Sequence, residues 1–336
     1  MPGLYTPTTI KKIRQNAEIK RDFLTEMFFK ETDTSPTEVI ILEAKKSGEM
    51  VAPFITPLEA GRPVYSKSKK SNVINAPSIA PEYTLTSKDI FDRQAGETIE
   101  GFNPATATGK RIGEILAEQE KYIKNKIELM VSQFLTTGKV KSGENEAAYE
   151  LDYEMTNKAT LSPSHKWTDS DIEPFDTIDE YIEKSEECGT KTEIVVLGTK
   201  AAKLLTKSKG FKDAISKDLQ SEFVKKSLRT YPGIVWIGTY TKYGVELFSY
   251  SRKVTGPDGK VVKLMPENTI IGGPSQGTII YAPIVYMGDE IIHMTPRYSN
   301  LDKTNPKIAK ITTESRPVLQ PCDLDAYFSV VVCDAD

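Results

Sequence analysis

Residues 50–64 read MVAPFITPLEAGRPV. Six of these fifteen positions are Met, Val, Phe, Ile or Leu, enough for a buried strand, yet Pro53, Pro57, Gly61 and Pro63 interrupt the run. Proline removes a backbone donor and fixes φ, so neither a helix interior nor a central strand accepts it. The stretch is apolar but suits no regular element of its own subunit. It sits in a longer excursion, from Ser47 to about Leu85, that also holds Pro77, Pro81 and the basic run YSKSKKSN at 65–72. Loops that long are uncommon in compact domains unless they are functional or disordered. Phe54, Ile55, Leu58, Val64, Ile74 and Ile79 are the wrong composition for disorder. The expectation is an ordered arm that packs against something else.

Outward from this segment the clearest element is a helix over 109–137. Ile112, Ile115, Leu116, Tyr122, Ile123, Ile127, Met130, Val131 and Phe134 recur there at helical spacing, and Gly138 follows as a C-terminal cap. At ~1.5 Å per residue it is roughly 40 Å long, with one narrow apolar stripe, and reads as a spine. Upstream, Ile10, Ile13, Ala17, Leu24, Met27 and Phe28 predict an amphipathic helix over 9–29, followed by a short strand at Val39–Leu42. Downstream, residues 139–155 read as a hairpin. Tyr149, Leu151, Tyr153 and Met155 alternate there with Glu150, Asp152 and Glu154, giving an apolar face and a solvated acidic one.

A short helix is expected at 176–187, a buried strand at 192–198, a helix from Thr199 and another over 211–228. Strands dominate thereafter, at 233–240, 244–251, 260–265, 268–273 and 277–287, with a Gly-Pro-Asp-Gly turn at 256–259 and a last strand at 326–333. Runs of helices followed by runs of strands place the chain in the α+β class.

At 336 residues the chain has room for about two domains. Its 44 Lys and Arg nearly cancel its 47 Asp and Glu, leaving −3, which argues against a dedicated nucleic-acid binder. The N-terminal MPGLYTPTTIKKIRQ lacks the apolar core of a signal peptide and no 18-residue apolar run occurs, so neither export by that route nor membrane association is expected. Cys188, Cys322 and Cys333, odd in number and far apart, point to a reducing compartment.

The sequence holds no recognisable catalytic or ligand motif. His165 and His293, the two histidines, have no Cys or His companion at metal-ligand spacing. Triads assemble in space, so spacing alone leaves one open, but no G-x-S-x-G elbow is present. The Gly-Lys pairs at 109, 138 and 259 lack both the earlier glycine and the following Ser or Thr of a phosphate loop. GGPSQG at 272–277 lacks the lysine and reads as a loop between strands. No catalytic residue, cofactor or metal is expected, and the chain reads as a non-enzyme.

The order of these elements resembles the Hong Kong 97-type capsid fold, and most closely the lambda-type phage major capsid proteins of the phage capsid E family. APF-x-x-P at 52–57 with Gly61 and Arg62 is similar to that family's extended loop, and RQAGE at 93–97 to the element before its spine helix. LTTGKVKSGENEAAYELDY at 135–153, MPENTIIGG at 265–273 and SRPVLQP at 315–321 follow in the family's order. Each motif alone is weak; their collinearity over roughly residues 20–332 carries the likeness. Residues 66–71 and 156–175 depart from it.

The resemblance implies an N-terminal arm at 1–37, an extended loop at 38–85 and a peripheral domain at 86–190 built on the spine helix. An axial domain at 191–299 and a C-terminal return to the peripheral domain at 300–336 complete the expected division. It implies the icosahedral head of a tailed double-stranded DNA phage, assembled in the host cytoplasm from hexamers and pentamers of this chain. The expected partners are other copies, a separate scaffolding protein, a portal protein and a decoration protein, with DNA enclosed but not read. Subunit contacts are expected at Pro53, Phe54, Ile55, Pro57, Gly61, Arg62, Lys67, Lys69 and Lys70 of the loop, and at Arg93, Gly96 and Glu97. The alternatives are an encapsulin-like compartment shell on the same fold and an ordinary soluble α+β enzyme.

Overall fold

A computed structural model describes residues 21–45, 69–86, 89, 104–142, 149–169, 171–217, 222–256, 259–286, 291–305 and 308–334. The chain opens with helix α1 (Phe23–Phe28) and strands β1 (Glu31–Thr34), β2 (Val39–Lys45), β3 (Lys69–Asn75) and β4 (Glu82–Thr86). The spine, α2 (Pro104–Thr137), leads into β5 (Lys139–Ser142), β6 (Tyr149–Asp152) and β7 (Lys158–Thr160). Next come α3 (Pro174–Glu186), β8 (Ile194–Leu197), α4 (Thr199–Lys207), α5 (Phe211–Ala214), β9 (Ile215–Ser216) and α6 (Glu222–Thr230). The rest is strand: β10 (Ile234–Tyr240), β11 (Val245–Tyr250), β12 (Lys253–Thr255), β13 (Val261–Lys263), β14 (Thr269–Gly273), β15 (Thr278–Tyr281) and β16 (Ile284–Tyr286). It closes with β17 (Ile291–His293), β18 (Tyr298–Asn305), β19 (Ile308–Glu314), β20 (Pro317–Gln320) and β21 (Phe328–Val331).

The spine has 34 residues, roughly 50 Å at the usual rise. It starts on Pro104, where a missing N–H costs nothing. It ends at Gly138, whose φ of 69° suits glycine and whose N–H donates to the Phe134 carbonyl at 2.8 Å. Two bodies share its apolar stripe. Ile112, Ile115 and Leu116 pack against Leu85 and Ile311 of the sheet β18–β19–β4. Buried Gln119 locks that contact, donating to the Ile311 carbonyl at 2.7 Å and accepting from Thr313 at 2.6 Å. Ile123, Ile127, Met130, Val131 and Phe134 belong instead to the large central core. There the Phe134 ring lies 4.9 Å from Tyr153, 5.4 Å from Tyr327 and 5.8 Å from Phe29. Tyr122, read into the stripe from its spacing, is 56% exposed; one position before Ile123, it is turned about 100° from the buried face.

The main sheet has seven strands in the order β7–β21–β14–β8–β11–β10–β9. β8 is buried at all four positions, as a central strand covered on both faces must be. Val195 and Leu197 face α3 and α4, while Ile194 and Val196 face the core around the spine. In GGPSQG the first two glycines lie on β14 against β21: a Cβ at Gly272 would meet Phe328 Cζ at 2.3 Å. The loop between strands that was expected over the whole motif is confined to 274–277. A third sheet, β1–β15–β20, joins the segment after α1 to the C-terminal strands.

Several expectations need correction. The helix over 9–29 does not run through: Asp22 is extended (φ −94°, ψ 176°) and caps α1, while residues 9–20 lie outside the described residues. The helix over 211–228 is two pieces, because Ile215 and Ser216 leave it to pair with Tyr240 and Thr239. The run 277–287 breaks at Ala282–Pro283 into β15 and β16, and of 260–265 only Val261–Lys263 is strand, Leu264 and Met265 being core. The excursion from Ser47 to Leu85 contains real ladders: β3 pairs with β2, which extends past Leu42 to Lys45, and β4 pairs with β19. The seven-stranded sheet draws strands from each of the segments 86–190, 191–299 and 300–336. β7 and β21, from either side of 191–299, join the ladder of β14 and β8; β19 packs on the spine through Ile311, and β21 reaches it through Ser329, whose hydroxyl donates to the Thr136 carbonyl at 2.9 Å.

Ile123 is 1% exposed on the spine. Ile123→Asp is therefore expected to cost about 3–5 kcal/mol by leaving an uncompensated buried charge, and to yield unfolded or insoluble chain in thermal denaturation. A soluble variant with an unchanged melting temperature would contradict this packing.

Candidate assembly interface

β2 and β3 form an antiparallel ribbon in strict register, from Val39↔Asn75 at the base to Lys45↔Lys69 at the far end. At the base Ile40 faces Ile74, 3% and 5% exposed, and both enter the central core. Arg316 pins the same place: it donates to Glu38 at 2.7 Å, to the Ala76 carbonyl at 3.1 Å and to the Pro283 carbonyl at 3.2 Å. The ribbon is a two-stranded sheet of its own, and an isolated hairpin is marginal in water.

Of the expected contact residues, Lys69 and Lys70 stand on β3, opposite Lys45 and Ala44. They are ladder positions, not the tip of a basic loop, because the register runs on to Lys69. Pro53, Phe54, Ile55, Pro57, Gly61, Arg62, Lys67, Arg93, Gly96 and Glu97 lie outside the described residues.

A second apolar surface escaped the sequence reading. β16 and β17 form another separate hairpin in which Val285 lies directly opposite Ile292. These two are 56% and 59% exposed, and neighbouring Met294 is 57% exposed. The inner face is anchored: Ile284 and His293 are buried, and the His293 ring stacks on Tyr298 at 3.8 Å and 15°. A hairpin with one face in the core and an apolar outer face is suited to contact with another molecule. Runs such as APIVYM do not tell an exposed apolar face from a buried one; the proline before β16 was the one available hint of a separate hairpin.

The N-terminal segment that leads into β1 and the ribbon is fastened by a buried carboxylate. Glu128 of the spine, 0% exposed, accepts from the Leu24 N–H at 2.7 Å, the Thr25 N–H at 3.0 Å, the Thr25 hydroxyl at 2.6 Å and the Tyr250 hydroxyl at 3.1 Å. It thus satisfies two of the free N–H groups that open α1. Asp22, also buried, faces Lys124 at 3.7 Å and forms an ion pair with Arg252. Burial pushes the Glu128 carboxyl above its ordinary range, and the four donors restrain that rise. In the sequence Glu128 reads as one more charged spacer between Ile127 and Met130, and nothing local marks it as buried.

Residues 9–332 match the family described as phage major capsid protein E. The chain belongs to that family. It is thus a phage major capsid protein, a structural subunit rather than an enzyme. The fold agrees with a capsid-protein candidate of a prophage in E. coli CFT073, at 20% identity and a TM-score of 0.74, over 98% of this chain and 99% of that one. A phage-related protein from Bordetella bronchiseptica RB50 matches at 10% identity and a TM-score of 0.51, over 98% of each chain. No curated protein sequence matches.

Two further polar features of this capsid protein have local structural roles. His165 is exposed on a 3-10 turn (Pro163–His165), with Nδ1 2.8 Å from the Ser162 hydroxyl and 3.0 Å from that of Ser164. The acidic hairpin face, expected to be merely solvated, is matched across the ladder. Lys139 lies 2.7 Å from Asp152 and Lys141 lies 3.4 Å from Glu150.

Each Glu128 oxygen accepts one backbone N–H, so Glu128→Gln, which turns one of them into an amide donor, leaves one buried N–H without its acceptor. The expected cost is about 1–3 kcal/mol, read as a lower urea midpoint with faster hydrogen exchange at the Leu24 and Thr25 amides. A carboxyl raised by folding lends its full stability below its unfolded value and loses it as pH rises through its folded value. The variant should flatten that decline; an unchanged midpoint and pH profile would contradict the role given to Glu128.

Proposed function

We propose that this capsid protein closes an icosahedral head as hexamers and pentamers, each subunit laying the tip of its β2–β3 ribbon across a neighbouring copy. The observation that supports this reading most is the ribbon's construction. Its base is built into the core by Ile40, Ile74 and Arg316, while its far end, Lys45↔Lys69, leads into 46–68, the segment that holds MVAPFITPLEAGRPV. A proline-rich apolar segment offers few donors that need partners and can be buried against a foreign surface at little polar cost. Val285, Ile292 and Met294 supply further apolar surface for contacts between copies.

Such contacts need not be strong. A standard interface buries ~1,600 Å², and ordering and association entropy oppose it. Closure by symmetry repeats a modest contact many times. The partners of this reading are a separate scaffolding protein, a portal protein and a decoration protein, with assembly in the host cytoplasm around the head of a tailed phage. The head would hold double-stranded DNA without gripping it: the net charge of −3 fits a wall that releases its genome, since counterion-release binding grows with the phosphates neutralised. The match to a phage family over residues 9–332 favours a phage head over a bacterial compartment shell.

The test uses the register. Because Lys45 and Lys69 are paired, an Asn-Gly turn can replace residues 46–68 without disturbing the ladder; a deletion reaching residue 84 would remove β3 and much of β4. The variant is expected to keep native helix content by circular dichroism and to form no closed particles in electron microscopy, with or without scaffold. Closed shells of native size would refute the interface role.

A further inference from the structure

The motif SRPVLQP at 315–321 opens on Ser315 and Arg316, which lie between β19 and β20. Ser315 is fully buried and the Arg316 side chain nearly so. Four legs of chain meet on this dipeptide. Just before β2, Glu38 accepts from the Arg316 guanidinium at 2.7 Å. Just after β3, the Ala76 carbonyl accepts from it at 3.1 Å, and Ile79 exchanges two backbone hydrogen bonds with Ser315, at 2.9 and 3.0 Å. Before β16, the Pro283 carbonyl accepts from the guanidinium at 3.2 Å and the Ala282 N–H donates to the Arg316 carbonyl at 2.9 Å. After β17, the Pro296 carbonyl accepts from the Ser315 hydroxyl at 2.7 Å. Two residues thus hold both legs of the β2–β3 ribbon and both legs of the β16–β17 hairpin.

The side chain suits the place. A guanidinium presents its donors in fixed directions, whereas lysine offers one nitrogen on a flexible stem. Nη2 of Arg316 serves the ribbon and Nη1 serves the hairpin. Turning one arm against the other therefore strains one side of the fork. Small turns matter, because the arms are levers. β2 and β3 have seven residues each, roughly 24 Å of strand at ~3.4 Å per residue. A swing of about 10° at the base displaces the far end by roughly 4 Å, a whole van der Waals contact distance.

We propose that Ser315 and Arg316 are positioning residues for assembly, fixing the angle between the β2–β3 ribbon and the β16–β17 hairpin so that shells close at one size. The proposal rests on the capsid reading above, which supplies neighbouring copies for both arms. A repeated contact closes only where its rotation repeats, and a variable angle gives open or irregular assemblies instead. The tip of the ribbon and the Val285–Ile292 face belong to separate two-stranded sheets. Their mutual geometry passes through the dipeptide that grips the bases of both.

Two variants of the full chain test it. Arg316→Lys keeps the charge and loses the fork. In electron microscopy of its assemblies the spread of particle diameters should widen at least about twofold, with open sheets among them. Shells of native, uniform size would overturn the proposal. Glu38→Ala removes one arm of the grip at a side chain that is 66% exposed, so the fold is not at risk. Hydrogen exchange on the unassembled variant reads the coupling: the amides of Ile284–Tyr286, on the other arm, should exchange at least about threefold faster, with the spine unchanged. A role confined to the ribbon's base leaves those amides as they were, and that result would overturn the proposal whether or not Arg316→Lys folds. Uniform native shells from both variants refute this inference and leave the capsid reading standing. Failure of the native chain to form shells refutes the capsid reading and removes this inference with it.

Discussion

A helix of 34 residues with one narrow apolar stripe is stable only where something covers that stripe along its length. Among the described residues no single element does so. The first half of the spine rests on β4 and β19 through Ile112, Ile115 and Leu116; the second half enters the central core through Ile123, Met130 and Phe134. Strands from far apart in sequence, Glu82–Thr86 and Ile308–Glu314, must therefore meet beside the helix. The same demand draws the N-terminal segment in. α1 buries Phe23, Leu24, Met27 and Phe28 in that core, and its free N–H groups are taken up by Glu128 on the spine itself.

With the interior settled this way, what is left over is as informative as what is packed. Two ribbons, β2–β3 and β16–β17, are two-stranded sheets that pair with no other strand among the described residues. Each has a fixed base, Ile40 with Ile74 in one and Ile284 with the His293–Tyr298 stack in the other. A fixed base limits the entropy lost when the remainder meets a neighbour. Val285 and Ile292 facing outward as a cross-strand pair would be a liability in a protein that stays alone and an asset in a subunit of a phage capsid.

Much of the fold was legible because long-period signals survive in sequence. The spine, its Gly138 cap, the 139–155 hairpin and the buried strand Ile194–Leu197 all follow from spacing. The readings that failed did so where tertiary pairing overrode local pattern. Ile215 and Ser216 look helical among their neighbours, but the sheet edge at Tyr240 claims them. Asp22 and Glu128 look like solvent-facing charges, and each is buried because a distant partner meets it, Arg252 for one and the α1 N-terminus for the other. Lys69 and Lys70 look like part of a basic loop for want of the register that pairs them with Lys45 and Ala44. Proline spacing marks 50–64 as unsuited to a regular element, yet no pattern within one chain identifies a surface that would receive it.

The central claim is that apolar ribbon is held back from its own core for use against an adjacent copy. A reconstruction of assembled shells at side-chain resolution measures this directly. Phe54 and Ile55 are predicted to lie in van der Waals contact with residues of a neighbouring subunit. Finding both packed wholly within their own chain, with the neighbour out of reach, would contradict the account.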